Sequence, residues 1–188
     1  MDSKCVLATV GMCGTGKTVA TKYIEEVKGF KSVYFGGYVL AEVKNRHLEI
    51  NSVNERVVRE SLREESGLDV IARRAVHDID SQLEAGLPVV IDGLYSFSEF
   101  LYLKEKYDRR LFILALHAAK EIRYSRLGSR KVRPLTPQQV DERDFFEIKN
   151  IEKAGPIAIA DYHIINDGTI KGLYRNIDNI LNKLRGTK

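Results

Sequence analysis

The sequence predicts an α/β protein in which a parallel sheet is covered by helices on both faces. Short, continuous apolar runs alternate with segments of helical periodicity, the pattern typical of buried parallel strands and the helices that connect them. A glycine-rich loop joins the first run to the first helix. The 188 residues, 44% of them hydrophobic, contain no repeat or linker, so we expect one domain over residues 1–188.

Five apolar runs are predicted as strands, at residues 5–10, 33–35, 89–91, 111–116 and 163–165. Turn-forming residues bound several of them: Gly36-Gly37 should close the second strand, and Gly86 and Pro88 precede the third. Because such a sheet binds ligands at the carboxyl ends of its strands, candidate functional residues are sought there.

Seven segments are predicted as helices, at residues 18–28, 54–65, 69–85, 96–107, 119–128, 137–153 and 170–185. The last of them places Leu173, Ile177, Leu181 and Leu184 on one side, as expected for a helix that packs on a sheet. Thr136 before Pro137 is a cap followed by a favoured first-turn residue.

Charge and composition exclude several classes of protein. The apolar runs are too short to cross a bilayer, and the first residues have the pattern of a strand rather than of a signal peptide. Two cysteines make neither a disulfide framework nor a metal cluster, so we expect a cytoplasmic protein without a membrane partner.

The net charge of +4 is concentrated in one segment. Residues 122–140 carry five basic side chains and no acidic one: Arg123, Arg126, Arg130, Lys131 and Arg133. Such a segment favours a compact polyanion as partner. Nucleic acid is a weaker alternative, because Tyr124 is the single aromatic residue interleaved with these charges.

Residues 11–18 have the full P-loop pattern, GMCGTGKT, between a predicted strand and a predicted helix. In such a loop, backbone N–H groups and a helix start surround phosphate oxygens, a lysine adds a mobile charge, and a hydroxyl serves Mg²⁺. We therefore predict that ATP binds to Gly11, Met12, Cys13, Gly14, Thr15, Gly16, Lys17 and Thr18. Cys13 is interpreted as a small residue that acts through its backbone.

Further segments carry a resemblance over nearly the whole chain. They are residues 62–65 (LREE) with Gly67, 89–93 (VVIDG), the Arg-rich stretch 123–130, Arg143-Asp144, 159–162 (IADY) and 164–168 (IINDG). Together with the P-loop they resemble the nucleoside-phosphate kinase group of P-loop kinases, which contains adenylate kinases and dephospho-CoA kinases. The match is closest to small adenylate-kinase-related proteins.

The resemblance implies a three-layer P-loop kinase fold with a five-stranded parallel sheet in the order 2-3-1-4-5. It also implies an acceptor-side insert at residues 37–86 and a basic lid at 123–136. Lys17, Asp92, Arg126 and Arg130 would then be catalytic, and Thr18 and Asp92 would hold Mg²⁺.

These roles agree with the chemistry of the residues. A carboxylate at Asp92 can hold a metal-bound water or accept the proton of an acceptor hydroxyl, and lid arginines neutralise a transferring phosphoryl group. Simpler interpretations stay open: Asp92 as a turn residue, the basic run as a solvated helix face, and Arg143 as the ion-pair partner of Glu147.

The loop after the fifth strand is a second nucleotide contact by resemblance. In the resembled kinases the corresponding loop packs against the adenine. The resemblance implies that Asn166 and Gly168 do the same with the adenine of ATP. A turn followed by a helix cap explains the same residues without a ligand.

The acceptor side departs from the family. An Asp and an Arg that follow the second strand are replaced by Gly37 and Leu40, and Tyr95 stands near the position of a further Arg. Tyr38 and Tyr95 could contact a base, or be half-buried aromatics. Arg63 is the candidate for the missing phosphate contact. However, Arg56, Arg59 and Arg63 alternate with glutamates, so they also fit a solvated salt-bridged face. The glutamates are Glu55, Glu60 and Glu64.

The sequence thus predicts a kinase that transfers the γ-phosphate of Mg-ATP to a small nucleotide or nucleotide-like acceptor. One alternative is a dephospho-CoA kinase-like activity. Another is a nucleotide-binding regulator or weak ATPase without a small acceptor, which the uncharged residues at positions 37 and 40 would favour.

Overall fold

A computed structural model describes residues 5–131 and 134–186 of the chain. Five parallel strands form one sheet in the order β2-β3-β1-β4-β5, which confirms the predicted fold and strand order. The strands are β1 (Val6–Val10), β2 (Lys31–Tyr34), β3 (Val89–Asp92), β4 (Leu111–His117) and β5 (Tyr162–Ile165).

Helices cover both faces of the sheet. They are α1 (Lys17–Lys28), α2 (Phe35–Asn45), α3 (Ser52–Ser66), α4 (Val70–Glu84), α5 (Phe97–Tyr107), α6 (Lys120–Gly128), α7 (Pro137–Ile151), α8 (Ala154–Ala158) and α9 (Ile170–Gly186), with a 3-10 turn at Asp108–Arg110. None of the helices within the described ranges is long and apolar enough to cross a membrane.

Alternating strand residues build two cores, one on each face. Val6 and Ala8 of β1 lie in the core formed with α2, α3, α4 and α5, whereas Leu7 packs into the core formed with α1 and α9. This alternation is the two-residue period of a strand, and both sets are apolar because both faces are covered. Because these strands are parallel, the loops after β1, β3 and β4 lie together at the carboxyl ends of the strands.

The structure corrects the prediction that Gly36-Gly37 closes the second strand. Phe35 begins α2 instead, and the helix is held by Phe35, Val39 and Val43, which lie one turn apart and are buried. The Tyr34 ring lies directly against Gly36, where a Cβ would collide with the ring and its hydroxyl, so glycine suits this position of the helix. Tertiary burial therefore overrides the weak helix propensity of the two glycines.

The helix predicted at residues 137–153 is divided in two. α7 ends at Ile151, Glu152 takes the left-handed conformation with φ 56°, and α8 starts two residues later. Part of the predicted lid, Val132 and Arg133, lies outside the described residues. Leu135, just beyond them, packs with Leu127 and Val140.

Candidate active site

A cavity of about 420 Å³ opens at the carboxyl ends of the central strands. Its described wall contains five basic side chains and one carboxylate, Asp92. The basic residues are Lys17, Arg126, Arg130, Arg143 and Lys153. Cys13, Gly14, Gly16, Thr18, Val19, Tyr34 and Tyr95 complete the wall. The site therefore joins part of the P-loop to the ends of β2 and β3 and to residues in or just after α6 and α7.

The P-loop has a backbone shape that leaves room for an anion. Gly11, Gly14 and Gly16 all have positive φ values, of 142°, 87° and 97°. At Gly16 a Cβ would collide with the side-chain amide of Asn166, so that only glycine fits the loop at this position. The loop then enters α1, whose first-turn N–H groups favour negative charge.

Side chains from three parts of the chain hold the loop's carbonyl oxygens. Lys17 Nζ donates to the carbonyls of residues 11 and 12, at 2.8 and 2.9 Å. Arg123 Nε donates to that of residue 13, at 2.8 Å, and Arg126 Nη1 to that of residue 14, at 3.4 Å. Asn166 Nδ2 donates to that of residue 15, at 2.9 Å. Because the five carbonyls are satisfied in this way, they do not compete for the space that an anion would occupy.

The contacts of Arg123 and Asn166 with the P-loop carbonyls were not predicted from the sequence. Arg123 is buried and also pairs with Asp144 of α7, so it joins the P-loop to that helix. The buried Asn166 accepts a hydrogen bond at its own carbonyl from Arg126 Nη2, at 2.8 Å. Neither Asn166 nor Gly168 is in the described cavity wall. Their predicted adenine contacts stay predictions.

Lys17 lies where its charge is costly. Burial, and then the charge of nearby Lys153, lower the pKa of Lys17 to about 7. Its ammonium group is held only by loop carbonyls among the described residues. An arriving phosphate would supply the full negative charge that this group lacks.

Thr18 and Asp92 bring oxygen atoms to the cavity beside Lys17. Asp92 ends β3, and burial raises the pKa of its carboxyl group while Lys17 opposes that shift. A hydroxyl and a carboxylate are ligands that Mg²⁺ takes together with waters and phosphate oxygens. The residues present therefore fit the predicted metal.

Two basic residues of the cavity wall, Arg143 and Lys153, are held by Glu147, a buried residue of α7. Glu147 accepts a hydrogen bond from Arg143 Nε at 2.9 Å and pairs with Lys153 Nζ. Burial alone would raise the pKa of Glu147, but the two adjacent cations lower it to about 2. Sequence reasoning included the Arg143–Glu147 pair and missed Lys153, because the turn at Glu152 that brings Lys153 back has no signal in the helical pattern.

Two predicted acceptor residues lie outside the described cavity wall, and one lies in it. Tyr95 lines the cavity. The hydroxyl of Tyr38 donates to Asp78 of α4 instead. Arg63 is buried and pairs with Glu99 of α5 at 3.4 Å, so the interpretation as a solvated face is wrong for this arginine. The exposed Arg56–Glu60 pair, at 3.8 Å, does match that interpretation. Acceptor contacts by Tyr38 and Arg63 stay predictions.

The remaining predicted catalytic residues meet in one place. Lys17, Asp92, Arg126 and Arg130 all line the cavity, although Arg130 lies beyond the end of α6 at Gly128. The strands that precede the P-loop and Asp92 are adjacent in the sheet, and this adjacency brings their ends together.

Comparison with known proteins agrees with this architecture. The UPF0200 protein of Thermococcus kodakarensis is 32% identical over 186 residues, which cover 95% of this chain and 100% of that protein. The crystal structure of TT1252 from Thermus thermophilus has a TM-score of 0.66 at 19% identity, covering 96% of this chain and 97% of the other. A shikimate kinase from Bacteroides thetaiotaomicron has a TM-score of 0.59 at 12% identity, covering 96% and 98%.

At such low identities the solved structures show a shared P-loop kinase fold. The finer resemblance to adenylate kinases and dephospho-CoA kinases stays a prediction. Residues 7–147, three quarters of the chain, match the family model described as an AAA domain. By this match and by its full-length relatives, the chain belongs to the UPF0200 family of AAA-domain proteins.

Proposed function

We propose that this protein is an ATP-dependent kinase that transfers the γ-phosphoryl group of Mg-ATP to a small nucleotide or nucleotide-like acceptor. One observation carries the proposal: a single cavity holds the P-loop Lys17, the carboxylate Asp92 and the arginines Arg126 and Arg130. Phosphoryl transfer needs little beyond positioning and charge neutralisation, and these groups supply both.

In the proposed reaction an acceptor oxygen attacks the γ-phosphorus. The bond from that phosphorus to the β–γ bridging oxygen breaks, and ADP leaves with this oxygen. Lys17 and the loop amides would hold the β- and γ-phosphates. When the acceptor group is a hydroxyl, its proton would pass to the Asp92 carboxylate.

Thr18 and Asp92 are the residues that would hold Mg²⁺. When bound, the ion neutralises phosphate charge, as it does in kinases generally. Arg126 is fixed by its hydrogen bonds to Gly14 and Asn166, and would present its remaining charge to the phosphates without further ordering. Arg130 is exposed and would bind the transferring group from the open side.

The proposal is tested by measuring ATP consumption against nucleoside monophosphates, nucleosides and dephospho-CoA. Turnover that depends on one acceptor supports a kinase, and the preferred acceptor separates nucleotide kinase from dephospho-CoA kinase-like activity. ATP binding with no acceptor-dependent turnover across the panel would favour the regulator or weak ATPase.

Replacing Lys17 with alanine should weaken ATP binding much more than adenosine binding, because Lys17 would meet the phosphates and not the base. Losing a charged hydrogen bond typically costs about 1.5–3 kcal/mol, or roughly ten- to a hundredfold in affinity. Calorimetry with both ligands measures the difference. Equal losses for ATP and adenosine would mean that the loop itself has changed shape.

ATP affinity should also depend on pH through Lys17. The free protein carries this lysine with a pKa of about 7, and a bound triphosphate stabilises the charged form and raises that pKa. Between pH 7.5 and 9, binding should therefore take up a proton, and affinity should fall by up to about tenfold per pH unit.

Calorimetry in buffers of different ionisation enthalpy measures the proton uptake. Lys17→Arg is the matched control, since a guanidinium stays protonated and should remove most of the pH dependence. The same slope in both proteins would assign the titration to another group.

A further inference from the structure

Two basic residues of the cavity wall, Arg143 and Lys153, have no part in the phosphoryl transfer described above. Lys153 lies over the Tyr95 ring, and Arg143 shares the carboxylate of Glu147 with it. The side chain of Lys153 is 2% exposed, and its Nζ lies 4.6 Å from the centroid of the Tyr95 ring. Lys153 is therefore a buried cation that borders an open cavity, and the carboxylate of Glu147 pairs with it.

The chain positions Lys153 through the end of α7. Glu152 adopts the left-handed conformation, and the N–H of Lys153 then donates to the carbonyl of Glu147 at 3.2 Å. This bond reaches back six residues, rather than the four of an α-helix, and the N–H of Glu152 donates to the same carbonyl. The turn folds Lys153 back over the last turns of α7, where its ammonium group meets the Glu147 carboxylate.

The charges around Glu147 do not balance. Lys17, Arg59, Arg143 and Lys153 all interact electrostatically with this single buried carboxylate. Arg59 forms no hydrogen bond or ion pair with any residue in the described ranges, and burial lowers its pKa. Positive charge in excess inside a cavity is stabilised by a bound anion.

Position distinguishes Lys153 from Arg126, although Lys153 is also close enough to Lys17 to lower its pKa, in addition to the effect of burial. Arg126 is bound to the P-loop and to Asn166, which follows β5 at one end of the sheet. Lys153 lies over Tyr95, which follows β3 on the other side of the P-loop strand. Asp92, the proposed proton acceptor, also ends β3, so a group held by Lys153 would lie on the acceptor side of the cavity.

We propose that Lys153, together with Arg143, binds an anionic group of the acceptor, so that the acceptor is a phosphate ester or a carboxylate. This site would replace the phosphate contacts that are absent at Gly37 and Leu40. That the bound anion belongs to the acceptor rests on the proposed kinase function, whereas the anion site itself does not.

Anion binding to the full-length protein tests the proposal. The non-hydrolysable ATP analogue AMP-PNP with Mg²⁺ fills the P-loop, and inorganic phosphate or malonate is then titrated by calorimetry. Lys153→Met should weaken binding of the preferred anion by about ten- to a hundredfold, the usual effect of losing a charged hydrogen bond. Lys149→Met, at an exposed lysine of α7, should change it by less than about twofold. The more tightly bound anion identifies the acceptor as a phosphate ester or a carboxylate.

Several results would overturn the proposal. Phosphate and malonate binding that is the same in Lys153→Met and wild type would show that Lys153 has only a structural role. No binding of either anion to the wild type would exclude the site. AMP-PNP binding that weakens tenfold or more in Lys153→Met would assign the lysine to the nucleotide.

Two further measurements keep the test clear. Thermal unfolding checks each variant, and if Lys153→Met is unfolded, Lys153→Met with Glu147→Gln removes both charges of the pair and is used in its place. If AMP-PNP does not bind the wild type, the kinase function fails. The anion titrations on the protein alone then still decide whether Lys153 forms an anion site.

Discussion

Replacing Arg130 with alanine should lower the turnover number of phosphoryl transfer by about a thousandfold or more, while ATP affinity changes by less than about tenfold. Arg130 is exposed at the cavity, and its guanidinium group makes no hydrogen bond or ion pair with the residues the structure describes. It is thus available for the charge that spreads over the transferring group. An interaction that strengthens in the transition state changes turnover more than ground-state binding.

Steady-state kinetics with the preferred acceptor, combined with calorimetry of ATP binding, separate the two effects. Arg109→Ala, at an exposed arginine of the 3-10 turn outside the cavity wall, is the matched control and should leave both unchanged. A higher Michaelis constant for ATP with normal turnover would instead make Arg130 a ground-state contact of the nucleotide.

The second large effect concerns stability. Glu99→Leu should lower the free energy of unfolding by about 3–5 kcal/mol, because it leaves Arg63 buried without its partner. Arg63 Nε already lacks a hydrogen bond within the described structure. Glu99 also accepts from the backbone N–H groups of Tyr95 and Ser96, at 2.8 and 3.0 Å, so its loss would loosen the start of α5 and the Tyr95 segment.

Denaturant unfolding measures the change. Arg63→Met combined with Glu99→Leu should cost much less than the sum of the two single substitutions, since no unpaired charge remains. Glu60→Leu, at the exposed pair with Arg56, should cost no more than about 1 kcal/mol. Additive costs for Arg63 and Glu99 would show that the two residues are not coupled.

Features that depend on neighbouring residues were predictable from the sequence. The P-loop combines a fixed spacing with a strand and a helix beside it, and the strands are apolar because both faces are covered. The strand order came from the resemblance, and the sheet confirms it. The joint placement of Lys17 and Asp92 followed, because the ends of adjacent parallel strands lie together.

Features that depend on distant partners were not predictable. The sequence places Glu60 three residues before Arg63, at ion-pair spacing, yet the partner is Glu99 of another helix. Arg123 belongs to a run of basic residues that also fits a solvated helix face, but it is buried and binds a carbonyl 110 residues earlier. Helix α2 is formed despite its glycines because its apolar face is buried. Each of these outcomes is decided by tertiary packing, which local patterns do not encode.

The satisfied carbonyls of the P-loop bear on the kinetics of nucleotide capture. Because Arg123, Arg126 and Asn166 hold the loop in shape before a ligand arrives, little conformational entropy is left to lose on binding. Encounter is then limited by diffusion and by the attraction between a basic cavity and a polyanion, both of which respond to ionic strength. The loop would then act as a preformed binding site, and differences in affinity between ligands would lie mostly in their dissociation rates. Substitution of Arg123 would speed release of the nucleotide, because this side chain holds the loop and is not itself proposed to contact a phosphate.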